Sequence, residues 1–173
     1  MSHNLKPMII ETERLILREM TLDDAAFLYK LMNSENWLKY IGDRGINSVE
    51  AARAYMLKSY LGSYQMNGFG AYMMVRKTDG ELIGNCGLYK REKLKHPDIG
   101  FAMLPEFYKM GYGYEAAMGV LKYAKENLNI DTVLAITDKE NRSSIGLLNK
   151  IGLNQKDVIK LDKAGPDLLL FSN

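Results

Sequence analysis

The chain has 173 residues, the length of one globular domain with a sizeable core, and its 47% hydrophobic and 25% charged residues are ordinary for a soluble protein. The net charge of +2 is too small to favour nucleic acid or a membrane surface as a partner, the N-terminus lacks the apolar core of a signal peptide, and no apolar run reaches the ~18 residues of a membrane span. A single cysteine, Cys86, excludes an internal disulfide and favours a cytoplasmic protein, while only two histidines, His3 and His96, argue against a zinc site or a hydrolase triad.

Hydrophobic periodicity and turn residues predict a series of about seven strands and four helices. The predicted strands are Ile9–Arg18, Phe69–Arg76, Glu81–Lys90, Asp98–Leu104, Thr132–Thr137, Leu153–Leu161 and Leu168–Phe171. The predicted helices are one capped by Thr21 with an apolar stripe from Ala25 to Met32, one from Ser48 to about Asn67, Glu115–Glu126 and Ser143–Ile151. Antiparallel hairpins dominate the middle, and a single β-α-β crossover spans residues 98–137, so we expect one mixed-sheet α+β domain over residues 1–173 rather than a doubly wound parallel sheet.

A glycine-containing segment, residues 108–113, joins the predicted strand at 98–104 to the long helix, and we call it the glycine loop. Gly111 and Gly113 lack a Cβ, so the backbone can take a positive φ there and approach a ligand closely. The first N–H groups of the following helix have no partners within the helix, and the helix dipole places partial positive charge behind them. With Lys109 adding a positive charge, the loop is predicted to bind a pyrophosphate. A tight connection without a ligand is the alternative on the glycines alone.

The same glycines also fit a dinucleotide-binding pattern, Gly111-x-Gly113-x-x-Ala116. In that pattern the strand runs nearly into the first glycine, whereas here the six residues from Pro105 to Met110 intervene. The flanking hairpins do not make alternating βα units either. A dinucleotide-binding oxidoreductase is therefore the less favoured hypothesis.

The element order and four segments together resemble the GNAT superfamily of acyl-CoA N-acyltransferases, and within it the ribosomal-protein-alanine N-acetyltransferase (RimJ/RimL-like) branch. The segments are Glu11–Arg18, Glu81–Leu88, the glycine loop with Glu115-Ala116 after it, and Asn141–Leu153. The family loop has the pattern Gln/Arg-x-x-Gly-x-Gly/Ala, and an aromatic residue in its first position, here Tyr108, is the habit of this branch. The last segment resembles the family's Asn-x-x-Ser motif and its Gly-Phe end, with Leu153 in place of the Phe. The resemblance covers residues 9 to about 161.

The resemblance implies transfer of an acetyl group from acetyl-CoA to a primary amine by direct attack in a ternary complex, without a metal. It also implies that the fourth predicted strand, 98–104, splays away from the fifth, 132–137, so that the pantetheine arm pairs with the open edge. The residues implied to bind the cofactor are Phe101, Met103 and Leu104 through their backbone, the amides of Lys109, Met110, Gly111, Tyr112, Gly113 and Tyr114, and the side chains of Asn141 and Ser144.

Three residues are implied in catalysis. Asp98 is the candidate base that takes the amine proton directly or through water, and a solvated strand-end carboxylate is the alternative for it. The N–H of Met103 would polarise the thioester carbonyl, and Ser144 would sit near the sulfur. Many relatives place a tyrosine acid seven residues after the motif asparagine; here that position is Leu148, so the thiolate leaves with help from Ser144 or unassisted. An α-amine has a pKa near ~8 against ~10.4 for lysine, so it needs the least help from a base.

The predicted loop at residues 33–47 matches no family pattern, which indicates that Trp37, Tyr40, Asp43 and Arg44 form the wall of the acceptor pocket. Ordinary packing or a solvated turn is the alternative for each of them. The acceptor is left open between a protein N-terminus and a small molecule such as an antibiotic or a polyamine, and an acidic pocket would favour a polyamine. A CoA-binding sensor of the same fold without activity is a further alternative. Monomer and homodimer both stay open, and no nucleic acid or membrane partner is expected.

Overall fold

The computed structural model describes residues 8–173. Residues 1–7, in which the sequence predicts no signal peptide, lie outside the described range. The strands are β1 Met8–Glu11, β2 Leu15–Glu19, β3 Ala71–Arg76, β4 Leu82–Tyr89, β5 Asp98–Met103, β6 Leu134–Asp138, β7 Asn154–Ile159 and β8 Leu168–Ser172. The helices are α1 Ala25–Met32, α2 Glu35–Tyr40, α3 Val49–Met56, α4 Gly62–Asn67, α5 Tyr112–Leu128 and α6 Arg142–Lys150. A π-helical turn, Leu57–Leu61, joins α3 to α4. None of the helices in this range is both long and apolar enough to cross a membrane.

The strands form one sheet in the order β1-β2-β3-β4-β5-β6-β8-β7. Neighbouring strands are antiparallel except for β5 and β6, which are parallel. The predicted mixed, mostly antiparallel α+β architecture is confirmed, and residues 8–173 contain eight strands rather than about seven and six α-helices rather than about four.

The first predicted strand, Ile9–Arg18, is wrong as a single element because the chain turns in its middle. The Thr12 N–H donates to the carbonyl of Leu15 at 3.0 Å, and β1 and β2 pair antiparallel on either side of this turn. The Arg14 N–H, which lies in this turn, donates to the Glu115 carboxylate of α5 at 2.6 Å. Alternation along the sequence continues through such a turn, so it could not show the break.

The predicted loop at residues 33–47 is also partly wrong, because residues 35–40 form the short helix α2. Ser34 precedes it with extended backbone, and Glu35 stands in its first turn, where a negative charge is favourable. The helix buries Trp37, which is 5% exposed and belongs to the apolar core. Residues 41–47 after the helix remain without regular structure.

Side chains on β4 and β5 alternate between the two faces of the sheet. Met103 lies on the face that α5 covers, since a Cβ added to Gly113 of α5 would lie 3.2 Å from Met103 Cε. Asp98 and Gly100 lie on the opposite face, where a Cβ on Gly100 would lie 2.8 Å from the ring of Tyr89. The two faces of β5 therefore present different residues to the two sides of the sheet.

Candidate active site

A cleft opens between β5 and β6, the two parallel strands in the middle of the sheet. They pair at a single register position, Asp98 opposite Leu134, while β6 pairs along its whole length with β8 on its other side. Toward Met103 and Asp138, at the carboxyl ends of the two strands, the described residues show no further β5–β6 pairing. The predicted splay between the strands at 98–104 and 132–137 is therefore present.

The open edge of β5 presents backbone groups to this cleft. In an antiparallel pair, successive residues point their N–H and carbonyl groups to opposite sides. The Leu104 N–H donates to the carbonyl of Ile83 in the β4 direction at 3.0 Å, so the groups of Phe101 and Met103, an odd number of residues away, point toward β6. The backbone geometry thus suits the roles predicted for Phe101 and Met103. It does not suit Leu104, whose carbonyl also accepts a hydrogen bond, from the Phe107 N–H at 3.0 Å.

The glycine loop leaves the end of β5 and enters α5 through strained backbone. Gly111 is the N-cap residue with φ 83°, and Lys109 has φ 62°, which is uncommon for a residue with a Cβ. Such strain is found most often at ligand and active sites. The N–H groups of Tyr112, Gly113 and Tyr114 form the first turn, where no carbonyl lies four residues earlier in the helix. Lys109, Met110 and Gly111 are exposed, so a bound anion can reach these amides.

Arg14 supports the glycine loop from the β1–β2 turn, a role that the sequence did not reveal. Its Nη1 donates to the carbonyl of Met110 at 2.9 Å, and its guanidinium carbon lies 4.4 Å from the centre of the Tyr112 ring. Its Nε donates to Glu115 at 2.7 Å. The opening segment of the family resemblance contains Arg14, and that match was the available signal. Its contact with a loop 96 residues away in the chain was not readable.

Glu115 anchors the same turn to α5. Its carboxylate accepts from the Thr12 hydroxyl and from the Arg14 N–H, both at 2.6 Å. Burial alone would raise the pKa of the Glu115 carboxyl, but the hydrogen bonds from Thr12 and Arg14 outweigh burial, so that pKa is lowered. With its oxygens held in this way, Glu115 is a structural link between the first hairpin and the helix that follows the loop.

The second predicted cofactor segment begins α6 next to the glycine loop. Asn141 caps the helix, because its side-chain oxygen accepts from the Ser144 N–H at 3.1 Å. Leu147 of α6 packs toward the loop, since a Cβ on Gly113 would lie 3.3 Å from Leu147 Cδ2. Two other polar groups of these residues, the Asn141 amide nitrogen and the Ser144 hydroxyl, have no hydrogen-bond partner within residues 8–173 and are free to contact a ligand. Leu148, at the position of the family's tyrosine, is 1% exposed and belongs to the core.

Asp98 opens β5 at the apex of the cleft, where β5 and β6 still pair. It is 1% exposed, so the alternative of a solvated strand-end carboxylate is wrong. The Arg91 Nε donates to both carboxylate oxygens, at 2.9 and 3.1 Å. Burial raises the pKa of Asp98 to about 6, although the charge and hydrogen bonds of Arg91 oppose the shift. A carboxylate with that pKa is mainly ionised at neutral pH and still able to accept a proton.

The predicted acceptor residues have different surroundings in the structure. Trp37 is part of the core, and its indole N–H has no hydrogen-bond partner within the described part of the chain. Asp43 is exposed and accepts from the Gly45 N–H at 2.7 Å, which makes it a turn residue. Tyr40 is half-buried with the Lys39 ammonium 5.0 Å from its ring centre.

Arg44 is exposed, and its charge acts on a buried tyrosine of the π-helical turn. Burial raises the pKa of the Tyr60 hydroxyl, and the charge of Arg44 opposes the shift, so the two side chains lie close enough to interact. Tyr60 in turn influences Tyr89, whose pKa is raised mainly by burial. The π-helical turn and the end of β4 lie together, since residues of both line one surface depression.

Two further features bear on the chemistry. Cys86 is fully buried in β4, and burial raises the pKa of its thiol, so it is a packing residue. Residues 8–173 contain no group of three or more His, Cys, Asp or Glu side chains placed to hold a metal ion.

Comparison with known proteins agrees with this geometry. Residues 14–154 match the family model described as an acetyltransferase (GNAT) domain. The chain belongs to the GNAT acetyltransferase family. It is an acetyl-CoA-dependent N-acetyltransferase, which confirms the activity and the co-substrate predicted from the resemblance.

Relatives and solved structures extend over most of the chain. The uncharacterized N-acetyltransferase YoaA of Bacillus subtilis (strain 168) is 28% identical over 153 residues, which cover 88% of this chain and 86% of YoaA. The crystal structure of an acetyltransferase from Agrobacterium tumefaciens str. C58 has a TM-score of 0.79 at 24% identity, covering 100% of this chain and 97% of that one. RimL, described as a ribosomal L7/L12 alpha-N-protein acetyltransferase in complex with coenzyme A, has a TM-score of 0.80 at 16% identity, covering 96% and 97%. The predicted fold likeness to this branch is confirmed.

Proposed function

We propose that the enzyme holds acetyl-CoA in the β5–β6 cleft and that the acceptor amine attacks the thioester directly, without an acyl-enzyme intermediate. The observation that carries this proposal is the single β5–β6 register position at Asp98, beyond which Phe101 and Met103 turn their backbone groups into an open cleft. A pantetheine arm has amide groups that can pair with such an edge in the manner of an extra strand. The buried position of Cys86 supports direct attack, because no other thiol is present in the chain.

The pyrophosphate of the cofactor belongs at the glycine loop. The first-turn amides of α5, together with those of residues 109–111, supply N–H donors at the positive end of the helix dipole. Arg14 holds the loop through its hydrogen bond to the Met110 carbonyl, so binding of the ligand costs little conformational entropy in the loop. The Asn141 amide nitrogen and the Ser144 hydroxyl stand at the adjacent start of α6, where they would contact the pantetheine arm or the sulfur.

The transfer step needs a neutral amine, a polarised carbonyl and a leaving thiolate. In the proposed step the amine nitrogen bonds to the carbonyl carbon, and the Met103 N–H stabilises the negative charge that develops on the oxygen. The carbon–sulfur bond then breaks and CoA leaves as a thiolate. The amine proton passes to Asp98, directly or through a water molecule, since Arg91 covers the carboxylate. Leu148 is in the core, so protonation of the thiolate is assigned to Ser144 or to solvent.

The acceptor is proposed to be an α-amine of a protein N-terminus or a small-molecule amine. An α-amine is partly neutral at pH 7 because its pKa is near ~8, which suits a base with a pKa of about 6 better than a lysine amine does. RimL, which shares the fold, is described as acting on a protein α-amine, so protein N-termini are the first class to assay. A cytoplasmic location and the choice between monomer and homodimer stay predictions.

The first experiment measures thermal unfolding with and without acetyl-CoA, with NAD as the control ligand. A ligand at 100 times its Kd adds about 2.7 kcal/mol of stability, which corresponds to a rise in Tm on the order of 5–10 °C for a domain of this size. Gly111→Asp should lose the rise because it puts a negative side chain beside the pyrophosphate. Gly68→Asp is the matched control, because Gly68 has φ 74° and ends α4 with open space around it.

Turnover of acetyl-CoA with a panel of amines then separates an enzyme from a CoA-binding sensor. A rise in Tm with acetyl-CoA and release of free CoA only when an amine is present would support the proposal. No rise with acetyl-CoA would refute it, and a rise with NAD instead would restore the dinucleotide hypothesis. Binding without turnover on α-amines, lysine peptides and polyamines would favour the sensor.

A further inference from the structure

A shallow depression lies on the surface between the π-helical turn, α4 and the end of β4. Its volume is ≈ 240 Å³, and it is lined by three cationic side chains, Lys58, Lys90 and Arg91, with Tyr89 at its inner side. The other lining residues in the described part of the chain are uncharged, and the Asp98 carboxylate that pairs with Arg91 is not among them. We call this feature the cationic depression.

The two lysines of the depression differ from several other lysines in their pairing, while Arg91 is paired with Asp98. Lys30 and Lys77, for example, make ion pairs at 2.9 and 2.6 Å. Within residues 8–173, Lys58 and Lys90 have no ion pair, and Arg91 uses only its Nε on Asp98 while its two terminal nitrogens have no partner. Three positive charges gathered around a concave surface create a positive potential that attracts an anion.

The depression adjoins the proposed catalytic carboxylate. Tyr89 is the register partner of Asp98 across β4 and β5, and the Arg91 guanidinium carbon lies 5.4 Å from the centre of the Tyr89 ring. Arg91 thus lines the depression and contacts Asp98 through its Nε, so that it links the two.

The wall of the depression has an unusual backbone. Lys58 lies in the π-helical turn, Leu57–Leu61, and π-turns inside helices are found frequently at functional sites. Tyr60 of the same turn is buried in the core.

We propose that the cationic depression binds a carboxylate or phosphate group of the acceptor, so that the acceptor is an amine that also carries an anion. The inference rests on the proposed function, because it assumes that the amine reaches the Asp98 side of β5. It changes one expectation from the sequence. An acidic pocket would have favoured a polyamine, whereas Lys58, Lys90 and Arg91 repel a polycation and attract an amino acid, an aminoalkyl phosphate or a peptide with an acidic residue near its N-terminus.

The test compares acceptors that differ only in charge. One arm uses short peptides with the same first residue and glutamate, glutamine or lysine in the second position, and the other uses an aminoalkyl phosphate, the corresponding amino alcohol and a diamine. We expect kcat/KM to fall from the anionic to the neutral to the cationic acceptor, by about tenfold or more from first to last. Raising the ionic strength from about 0.01 to about 1 M shortens the Debye length from about 30 to about 3 Å and should narrow the difference. The arm with the larger preference identifies the source of the anion.

Charge-reversal variants locate the preference. Lys58→Glu and Lys90→Glu should reduce or invert the anionic-to-cationic ratio by about tenfold, whereas Lys125→Glu, exposed on α5, should leave it unchanged. A second readout is the Tm rise that the aminoalkyl phosphate and the amino alcohol produce in the presence of CoA.

Equal rates and equal Tm shifts for anionic and neutral acceptors would overturn the inference, and so would variants at Lys58 and Lys90 that keep the wild-type ratio. Neither result touches the proposed function, provided that acetyl-CoA still raises the Tm. Loss of the acetyl-CoA shift itself would count against the proposed function, and the anion-dependent shift would then be measured without CoA.

Discussion

Replacing Asp98 by asparagine should remove one ionisation from the pH profile of acetyl transfer. As a general base Asp98 must be ionised, and burial sets its pKa at about 6, so kcat/KM should rise with pH through about 6. A second rise near ~8 should report deprotonation of an α-amine acceptor. Asp98→Asn should keep the second rise and lose the first, with a rate lower by about 10²–10⁴. The assay is initial-rate release of CoA from pH 5 to 9.

The same carboxyl should make stability depend on pH with a defined sign. Its folded pKa of about 6 lies above the value near ~3.9 of an unfolded chain, so the folded state holds a proton that the unfolded state has lost. Between pH 4 and 6 the contribution of Asp98 to the free energy of unfolding therefore falls as pH rises, by about 3 kcal/mol in all, because one pKa unit is 1.36 kcal/mol. Urea unfolding at intervals across this range should show the slope in the wild type and its loss in Asp98→Asn.

Two results would refute this reasoning separately. If Asp98→Asn keeps the limb near pH 6 and the wild-type rate, Asp98 is a structural partner of Arg91 and not the base. If the wild type shows no stability slope between pH 4 and 6, Arg91 holds the pKa of Asp98 near its ordinary value and burial does not dominate. Asp131→Asn is the control, because Asp131 is exposed and its replacement should alter neither profile.

Two further predictions concern the scaffold of the site. Arg14→Ala should raise the KM for acetyl-CoA by about tenfold with little change in kcat, and it should lower the free energy of unfolding by about 1 kcal/mol. Hydrogen bonds to charged groups are worth ~1.5–3 kcal/mol, but Arg14 is 40% exposed, which reduces their contribution. Steady-state kinetics compared with the exposed control Arg53→Ala checks this, and an unchanged KM would show that the loop is ordered without Arg14. Gly84→Ala should destabilise the protein by at least about 3 kcal/mol, because its Cβ would clash with the carbonyl oxygen of Ala102. In contrast, Gly146→Ala on the open side of α6 should be neutral or stabilising by up to ~1 kcal/mol. A Gly84→Ala variant with the wild-type Tm would mean that β4 and β5 can separate.

The glycine loop and its helix were predictable from the sequence because their signals are local. Two glycines, a strand before them and apolar residues at helical spacing after them lie within 30 residues of one another. The splay of β5 from β6 was less accessible, and the resemblance to a family rather than the pattern of residues supplied it. The role of Asp98 as a base stays a prediction, and the sequence could not give its burial behind Arg91.

The wrong predictions share a dependence on distant partners. The break between β1 and β2 is stabilised by Glu115, which lies 101 residues beyond Arg14 in the chain. Trp37 was assigned to the pocket because it stood in an apparently irregular segment, but a large aromatic side chain gains more from core burial than from exposure.

The cations of the depression come from the π-helical turn and from the end of β4, so no single stretch of sequence contains the cluster.

The sequence of β5 explains how one strand can serve two substrates. Its odd-numbered residues direct backbone groups into the cleft, where the thioester arm is proposed to lie. Its even-numbered residues direct side chains to the face shared with Tyr89, and there the strand carries Asp98 followed by the small residues Gly100 and Ala102. The absence of a side chain at Gly100 makes room for the Tyr89 ring beside the carboxylate. Gly100→Val should therefore impair acceptor use by displacing Tyr89, which already lies 2.8 Å from the position of a Cβ at Gly100, while the cleft edge for acetyl-CoA stays intact.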